Sequence, residues 1–157
     1  MKKPLYLETT IVSYLAARPS SDLVVAGHQL ITRRWWEMHR PDYAMFVSES
    51  VIEECAAGDP EAAKRRLELL AGIPVLEASN DSIAIAKRLL LEGIVPAKAV
   101  VDAMHLGIAA AHGVEYLLTW NCTHIANAAL RRRMEAVCRT MGREMPVICT
   151  PEELLED

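Results

Sequence analysis

The run from Val100 to Asn121 constrains the fold more tightly than any other part of the chain. It reads VVDAMHLGIAAAHGVEYLLTWN: one helix, a tight stop, then one buried strand. Ala103, Gly107, Ala109, Ala110 and Ala111 give the helix a face without bulk, so a neighbouring element can approach it closely. Gly113 stands where a helix C-terminal glycine belongs, because the left-handed conformation that ends a helix carries no Cβ penalty there. Tyr116-Leu-Leu-Thr119 is the short, β-prone, apolar run that a central parallel strand needs when both its faces are covered. Asp102 falls in the first turn of the helix, and Asn121 just past the C-terminal edge of the strand. In open α/β sheets that edge is where ligands bind.

The flanking sequence repeats this alternation. Leu5-Tyr-Leu7 is a short strand ending at Glu8, and Thr9 and Thr10 can cap a helix over Ile11–Ala17. Pro19 and its serines turn the chain at Arg18–Asp22, and a second helix runs from Leu23 to about His39. Tyr43–Val47 is the second strand, and Ser48 caps a helix that carries Glu49, Glu53 and Glu54 toward Gly58. Asp59-Pro60 opens a helix to about Ala71, with proline at its first position. Ile73–Leu76 is a third strand, its proline marking a strand start or an edge. Ser79, Asn80 or Asp81 caps a helix to about Glu92, and Gly93–Pro96 connects it to the helix of Asp102. After Asn121 and Cys122–Asn127 comes an Arg-rich helix to about Met141, then a strand over Pro146–Cys149 and a terminal helix from Thr150-Pro151. Strands alternating with helices predict an α/β fold, a central parallel sheet flanked by helices on both faces in three layers. At 157 residues, without repeats or linkers, residues 1–157 are expected to form one domain.

Composition removes several function classes. With 52% hydrophobic and 24% charged residues the chain is not disordered. A net charge of −4 provides no bulk basic field for nucleic acid, although metal-binding carboxylates make an unloaded site look acidic. Cys55, Cys122, Cys138 and Cys149 are widely spaced and form no CxxC pair, so neither a zinc knuckle nor a thioredoxin-like motif is expected and reduced thiols in a cytoplasmic protein are. The N-terminus lacks the long apolar segment of a signal peptide, and no apolar stretch reaches the ~18 residues of a membrane span. No Gly-rich phosphate loop follows any strand, which argues against a nucleotide-binding α/β protein. Trp35 and Trp36 read as packing rather than as a base-stacking platform, and with Leu30 and Ile31 they are candidates for an apolar dimer face.

If the sheet is parallel, Glu8, Glu53 or Glu54, Asp102 and Asn121 all fall near its C-terminal edge. Hard oxygen ligands converging on one cleft suit Mg²⁺ or Mn²⁺. The blocks that carry these residues resemble those of the PIN-domain family. Leu5-Tyr-Leu-Glu-Thr-Thr10 is similar to its opening, a strand ending in an acid followed by Thr or Ser. Val47 to Gly58 resembles its second block, with an acid shortly before a glycine. Asp102-Ala-Met-His-Leu-Gly-Ile-Ala109 resembles the third, and Tyr116 to Asn121 the fourth. Their order and the size of the chain are similar to VapC-type toxins of toxin–antitoxin pairs. Two positions depart from the pattern: the first acid is Glu8 instead of Asp, and the last is the neutral Asn121. Ligand charge sets divalent affinity, so such a site is expected to hold metal more weakly, or one ion where the family can hold two.

The resemblance implies a PIN-like domain that hydrolyses RNA phosphodiesters with a carboxylate-held Mg²⁺ or Mn²⁺. Glu8, Glu54 and Asp102 would hold the ion, Glu54 fitting the family spacing better than Glu53, and Asn121 would ligate weakly or orient the water. Thr9 or Thr119 would hydrogen-bond a ligating carboxylate. Arg18, Arg131, Arg132 and Arg133 are the candidate cations for substrate phosphates, the triple run reading otherwise as a solvated helix face. His105, one turn after Asp102, and His124 read as structural, because nothing supplies a close N/S ligand spacing. The implied partners are RNA, an antitoxin protein and a second copy in a homodimer. The alternative is a PIN fold with a degraded site that binds RNA or a protein without cutting; Asn121 and the net acidity favour it, and the three retained carboxylates favour the enzyme.

Overall fold

Strand β1 (Lys3–Leu7) lies at the centre of a five-stranded sheet with β2 (Tyr43–Ser48) on one side and β4 (Tyr116–Leu118) on the other. This computed structural model describes residues 1–156. β3 (Val75–Leu76) and β5 (Val147–Cys149) form the edges, the order is β3-β2-β1-β4-β5, and every pairing is parallel. Leu5, Tyr6 and Leu7 are fully buried, as a parallel strand covered on both faces requires. The helices are α1 (Thr9–Ala16), α2 (Leu23–Met38), α3 (Glu49–Ala56), α4 (Pro60–Leu69), α5 (Asn80–Leu91), α6 (Val100–Ala111) and α7 (Arg131–Thr140). They pack as two groups, α1 to α4 and α5 to α7, which with the sheet make the expected three-layer α/β/α arrangement.

Local chemistry accounts for most boundaries. Asp22, Ser48, Asp59 and Ser79 each accept a hydrogen bond from a backbone N–H of the first turn they cap. Gly113 adopts φ +65° and closes α6, its N–H donating to the carbonyl of Ala110 at 3.2 Å. Three elements differ from expectation. The cap of α1 is Glu8 itself, which accepts from Thr10 N, so the helix starts at Thr9. β3 is two residues long because Pro74 has no N–H to add to the ladder; its carbonyl still accepts from Val47 N at 3.0 Å. The terminal helix is a single 3₁₀ turn over Pro151–Leu154, stabilised by a capping box between Thr150 and Glu153.

Trp35 is fully buried in the core and Trp36 half-buried, with the Arg40 guanidinium over its ring at 4.5 Å. Both therefore pack, and Trp35 has no surface to offer the dimer face expected of it; Leu23, Val24, Leu30 and Met38 are the large apolar residues that α2 exposes. No described helix is long and apolar enough to cross a membrane.

The cysteines are free. Burial pushes the thiols of Cys55 and Cys138 up to about 11 and that of Cys149 up to about 12, whereas Cys122 is exposed. One fast equivalent of thiol is therefore expected in a native titration with an aromatic disulfide, and four in denaturant; a second fast native equivalent would contradict the burial.

Candidate functional site

The connections from β1 and β4 lead to opposite sides of the sheet, so the loops after these adjacent strands diverge and leave a crevice between them. Leu7 pairs with Leu118, which sets Glu8 beside Thr119 at the mouth of that crevice. The Glu8 N–H donates to the carbonyl of Leu118 at 3.1 Å, fixing the backbone where the carboxylate leaves it.

Glu8 is only 3% exposed. The Thr119 hydroxyl donates to its Oε1 at 2.6 Å, the Thr10 hydroxyl donates to the same oxygen, and Thr10 N donates to Oε2 at 3.1 Å. Each hydroxyl in turn accepts a backbone N–H, Thr119 from Asn121 at 2.9 Å and Thr10 from Trp120 at 2.8 Å. Those acceptances turn the hydroxyl protons toward the carboxylate. Burial pushes the Glu8 carboxyl up, against the lowering effect of these hydrogen bonds. No Lys or Arg forms an ion pair with it among the described residues.

Glu54 reaches the same crevice from α3. Successive helical residues point about 100° apart, and Glu54 rather than Glu53 turns inward. Its Oε1 accepts from the Thr9 hydroxyl at 2.6 Å and from His105 Nε2 at 2.7 Å. Burial acts to raise this carboxyl, but the bonds from His105 and Thr9 outweigh it and hold it below its ordinary value. His105 is fully buried; its Nδ1 lies 2.6 Å from the Tyr6 hydroxyl, which lies 2.7 Å from that of Ser48. A file of hydrogen bonds thus runs from the cap of α3 through β1 and α6 back to α3. Ligand atoms of Glu8, Glu54 and His105 all lie within 4.8 Å of one another, a spacing that one ion can bridge.

Asp102 lies outside that group of three. Its Oδ2 is 2.8 Å from His124 Nδ1, and its side chain is 18% exposed. Asn121 Oδ1 accepts from His124 N at 3.0 Å, so this amide shapes the turn that carries His124 to Asp102. Of the arginines, Arg131 donates to the carbonyl of Ile148 at 3.4 Å and Arg133 to that of Glu92 at 3.0 Å, while Arg132 is exposed. Arg18 lies apart from them, in a cleft between α1 and α4. Sequence reasoning named Thr9 and Thr119 as alternatives, and both bond a carboxylate. It passed over Thr10, Tyr6 and Ser48. Thr10 had a signal, standing two residues after a strand-end acid; Tyr6 and Ser48 had none, since an apolar strand and a helix cap already explained them.

No protein-family model matches the chain, and no curated protein matches it by sequence. Solved structures do match it by fold. A chain of the crystal structure of VapBC2 from Rickettsia felis, bound to a DNA fragment from their promoter, superposes with a TM-score of 0.59 at 14% identity, over 94% of this chain and 98% of that one. VapC20 of Mycobacterium tuberculosis, a sarcin–ricin loop cleaving toxin, superposes with a TM-score of 0.55 at 15% identity, over 82% of this chain and 94% of that one. Identities this low speak to the fold, and together with the parallel order β3-β2-β1-β4-β5 they show that the chain has the PIN-domain fold of VapC-type toxins.

Proposed function

We propose that the chain is a metal-dependent endoribonuclease of the VapC type, with Mg²⁺ or Mn²⁺ held by Glu8, Glu54 and Asp102. The observation that carries this is Glu8: a carboxylate 3% exposed, facing a second carboxylate, with no Lys or Arg ion partner among the described residues. Burial there favours the neutral acid, and a cation in the crevice is what would keep Glu8 charged. The donor set fits one, because among the described residues Glu54 Oε2 and Asp102 Oδ1 take no hydrogen bond and Glu8 Oε2 takes one. Such an ion, when bound, supplies Lewis acidity for water activation and for charge growing on a phosphate. The chain's own residues do the positioning. Thr10 and Thr119 fix Glu8, His105 and Thr9 fix Glu54, and His124 orients Asp102. Three carboxylates and a neutral Asn121 favour one ion over two. RNA as substrate is supported by the likeness in fold to VapC20, named for cleaving an RNA loop, and an antitoxin partner by the likeness to VapBC2. Free, widely spaced cysteines favour the cytoplasm, and the apolar residues that α2 exposes, Leu23, Val24, Leu30 and Met38, are the surface on which a homodimer would form.

The test is cleavage of structured RNAs by purified protein in Mn²⁺ or Mg²⁺ against EDTA. Cutting is expected with metal only. A folded, metal-supplied protein that does not cut would favour the second reading, a PIN fold that binds RNA or a protein without cleavage. The engagement of Asn121 Oδ1 with His124 N is the observation on that side, and Asn121→Asp is then the variant in which restored cutting is sought.

Thermal melting gives an independent readout. Mn²⁺ at a hundred times its Kd is expected to stabilise the fold by ~2.7 kcal/mol, or roughly 5–10 °C. Glu8→Gln should abolish that gain. The native Glu8 carboxyl is raised, so the folded chain keeps its proton over a pH window in which the unfolded chain has lost it. Stability from this group therefore falls as pH rises through that window. The amide has no such loss, and metal-free Glu8→Gln is expected to be at least as stable at pH 7 as metal-free wild type.

A further inference from the structure

We infer that the cleft between α1 and α4 is a phosphate-binding subsite for the RNA strand, built by Arg18, Arg65 and Arg66 with Ser13. The inference rests on the ribonuclease reading and extends it to where the strand runs on leaving the carboxylates. The cleft encloses about 280 Å³ and is lined by these four residues and small alanines. Arg65 Nε donates to the carbonyl of Ala16 at 3.1 Å; Arg66 Nε donates to Cys55 at 2.9 Å and its terminal nitrogen to Ala57 at 2.6 Å. These bonds satisfy the free carbonyls at the ends of α1 and α3 and pin each guanidinium by one edge.

A guanidinium carries five N–H donors. Arg65 commits one and Arg66 two, and no carboxylate pairs with Arg18, Arg65 or Arg66 among the described residues. In a chain with 21 acidic and 17 basic residues, three guanidiniums gathered in one cleft without a counter-charge call for an anion from outside. The remaining fork edges suit the paired oxygens of a phosphate. Arg131 and Arg133 also donate to backbone carbonyls, of β5 and of the residue after α5, but Arg131 lines its cleft together with an acid, Glu135.

Position identifies the phosphate as part of RNA. α1 starts at Thr9, which bonds Glu54, and ends at Ala16, which bonds Arg65. Seven residues of helix span ~10 Å, the axial rise of roughly three nucleotides at ~3.4 Å each. The carbonyl that holds Arg66 belongs to Cys55, next in the chain to Glu54. The cleft thus continues the carboxylate crevice along one helix layer.

The experiment is the anisotropy of a labelled single-stranded RNA against salt, in EDTA so that nothing is cut, with Arg18→Gln, Arg65→Gln and, as the control on the exposed face of α7, Arg139→Gln. Arg18→Gln and Arg65→Gln are each expected to weaken binding about fivefold and to flatten the slope of log K against log salt by ~0.7. In Mn²⁺ they should raise KM and leave kcat unchanged, the signature of uniform binding. Arg139→Gln should change none of these. Only the backbone carbonyl of Arg18 is hydrogen-bonded among the described residues, by Gln29, so replacing its side chain keeps the test valid if Arg65→Gln melts early. Unchanged Kd and slope in both cleft variants would overturn the subsite while wild-type cutting upholds the ribonuclease. Wild type that neither binds nor cuts RNA would overturn both. Loss of binding to a polyglutamate peptide, with RNA affinity intact, would make the cleft a dock for an acidic protein and overturn the inference.

Discussion

Asp102→Asn is expected to leave a folded protein whose Mn²⁺-dependent RNA cleavage is about 10³-fold slower, as fits the loss of a group on which metal-assisted stabilisation of growing charge depends. The fold should survive because the amide oxygen can still accept from His124 Nδ1, which now sits 2.8 Å from Asp102 Oδ2. What goes is charge. Asn121 is neutral, so the proposed metal site counts three carboxylates, Glu8, Glu54 and Asp102; the variant keeps two, and metal affinity follows ligand charge. Single-turnover cleavage at saturating Mn²⁺ measures the effect, with calorimetric Mn²⁺ binding beside it and melting as the control for folding. His105→Ala is the informative companion, because His105 Nε2 stands within reach of both glutamates. Metal binding kept in His105→Ala and lost in Asp102→Asn is the expected pattern. The reverse pattern would move the ion onto Glu8, Glu54 and His105 and leave Asp102 with His124 as a structural pair.

These residues also show where sequence reasoning reached and where it stopped. The helix, stop and strand from Val100 to Thr119 were legible because each signal is local: small residues on a face, Gly113 at the cap, a β-prone run after it. A parallel sheet was legible from alternation alone. The strand order was not, since β1 reaches β2 and β4 through contacts that no local pattern encodes. Glu8 drew notice as a charge at a strand end, and its meeting with Glu54 followed from the order of the family-like blocks. The file from Ser48 through Tyr6 to His105 spans separations of 42 and 99 residues, and each member had a sufficient local explanation. The run Arg131–Arg133 stood out because adjacency is visible in a sequence. The three arginines that line one cleft come from α4 and from the segment after α1, brought together only by packing.

Gly107→Ala is expected to destabilise the protein by about 3 kcal/mol, the upper end of the overpacking range, and to lower its melting temperature by roughly 6–12 °C. Two effects oppose each other. Alanine is the better helix former by about 1 kcal/mol, and Gly107 lies inside α6 without a positive φ, so the backbone alone would welcome it. A Cβ there, however, would stand 2.3 Å from the Ser82 carbonyl oxygen and 3.3 Å from Ala86 N. Both are backbone atoms of α5 and cannot swing aside as a side chain could, so the two helices must part. Ile85, Ala86 and Leu89 of α5 are buried in the core, and separation opens the packing they make. The same shift displaces Asp102 and His105 on α6, so cleavage should fall further than the loss of folded protein explains. Gly27→Ala in α2 separates steric overlap from any general effect of losing a glycine: an added Cβ there meets nothing within 4 Å. It should gain about 0.4–1 kcal/mol and melt a few degrees higher. Opposite signs for one substitution on two helices would locate the cost of Gly107→Ala in the α5–α6 contact, whereas a loss in both would assign it to the backbone.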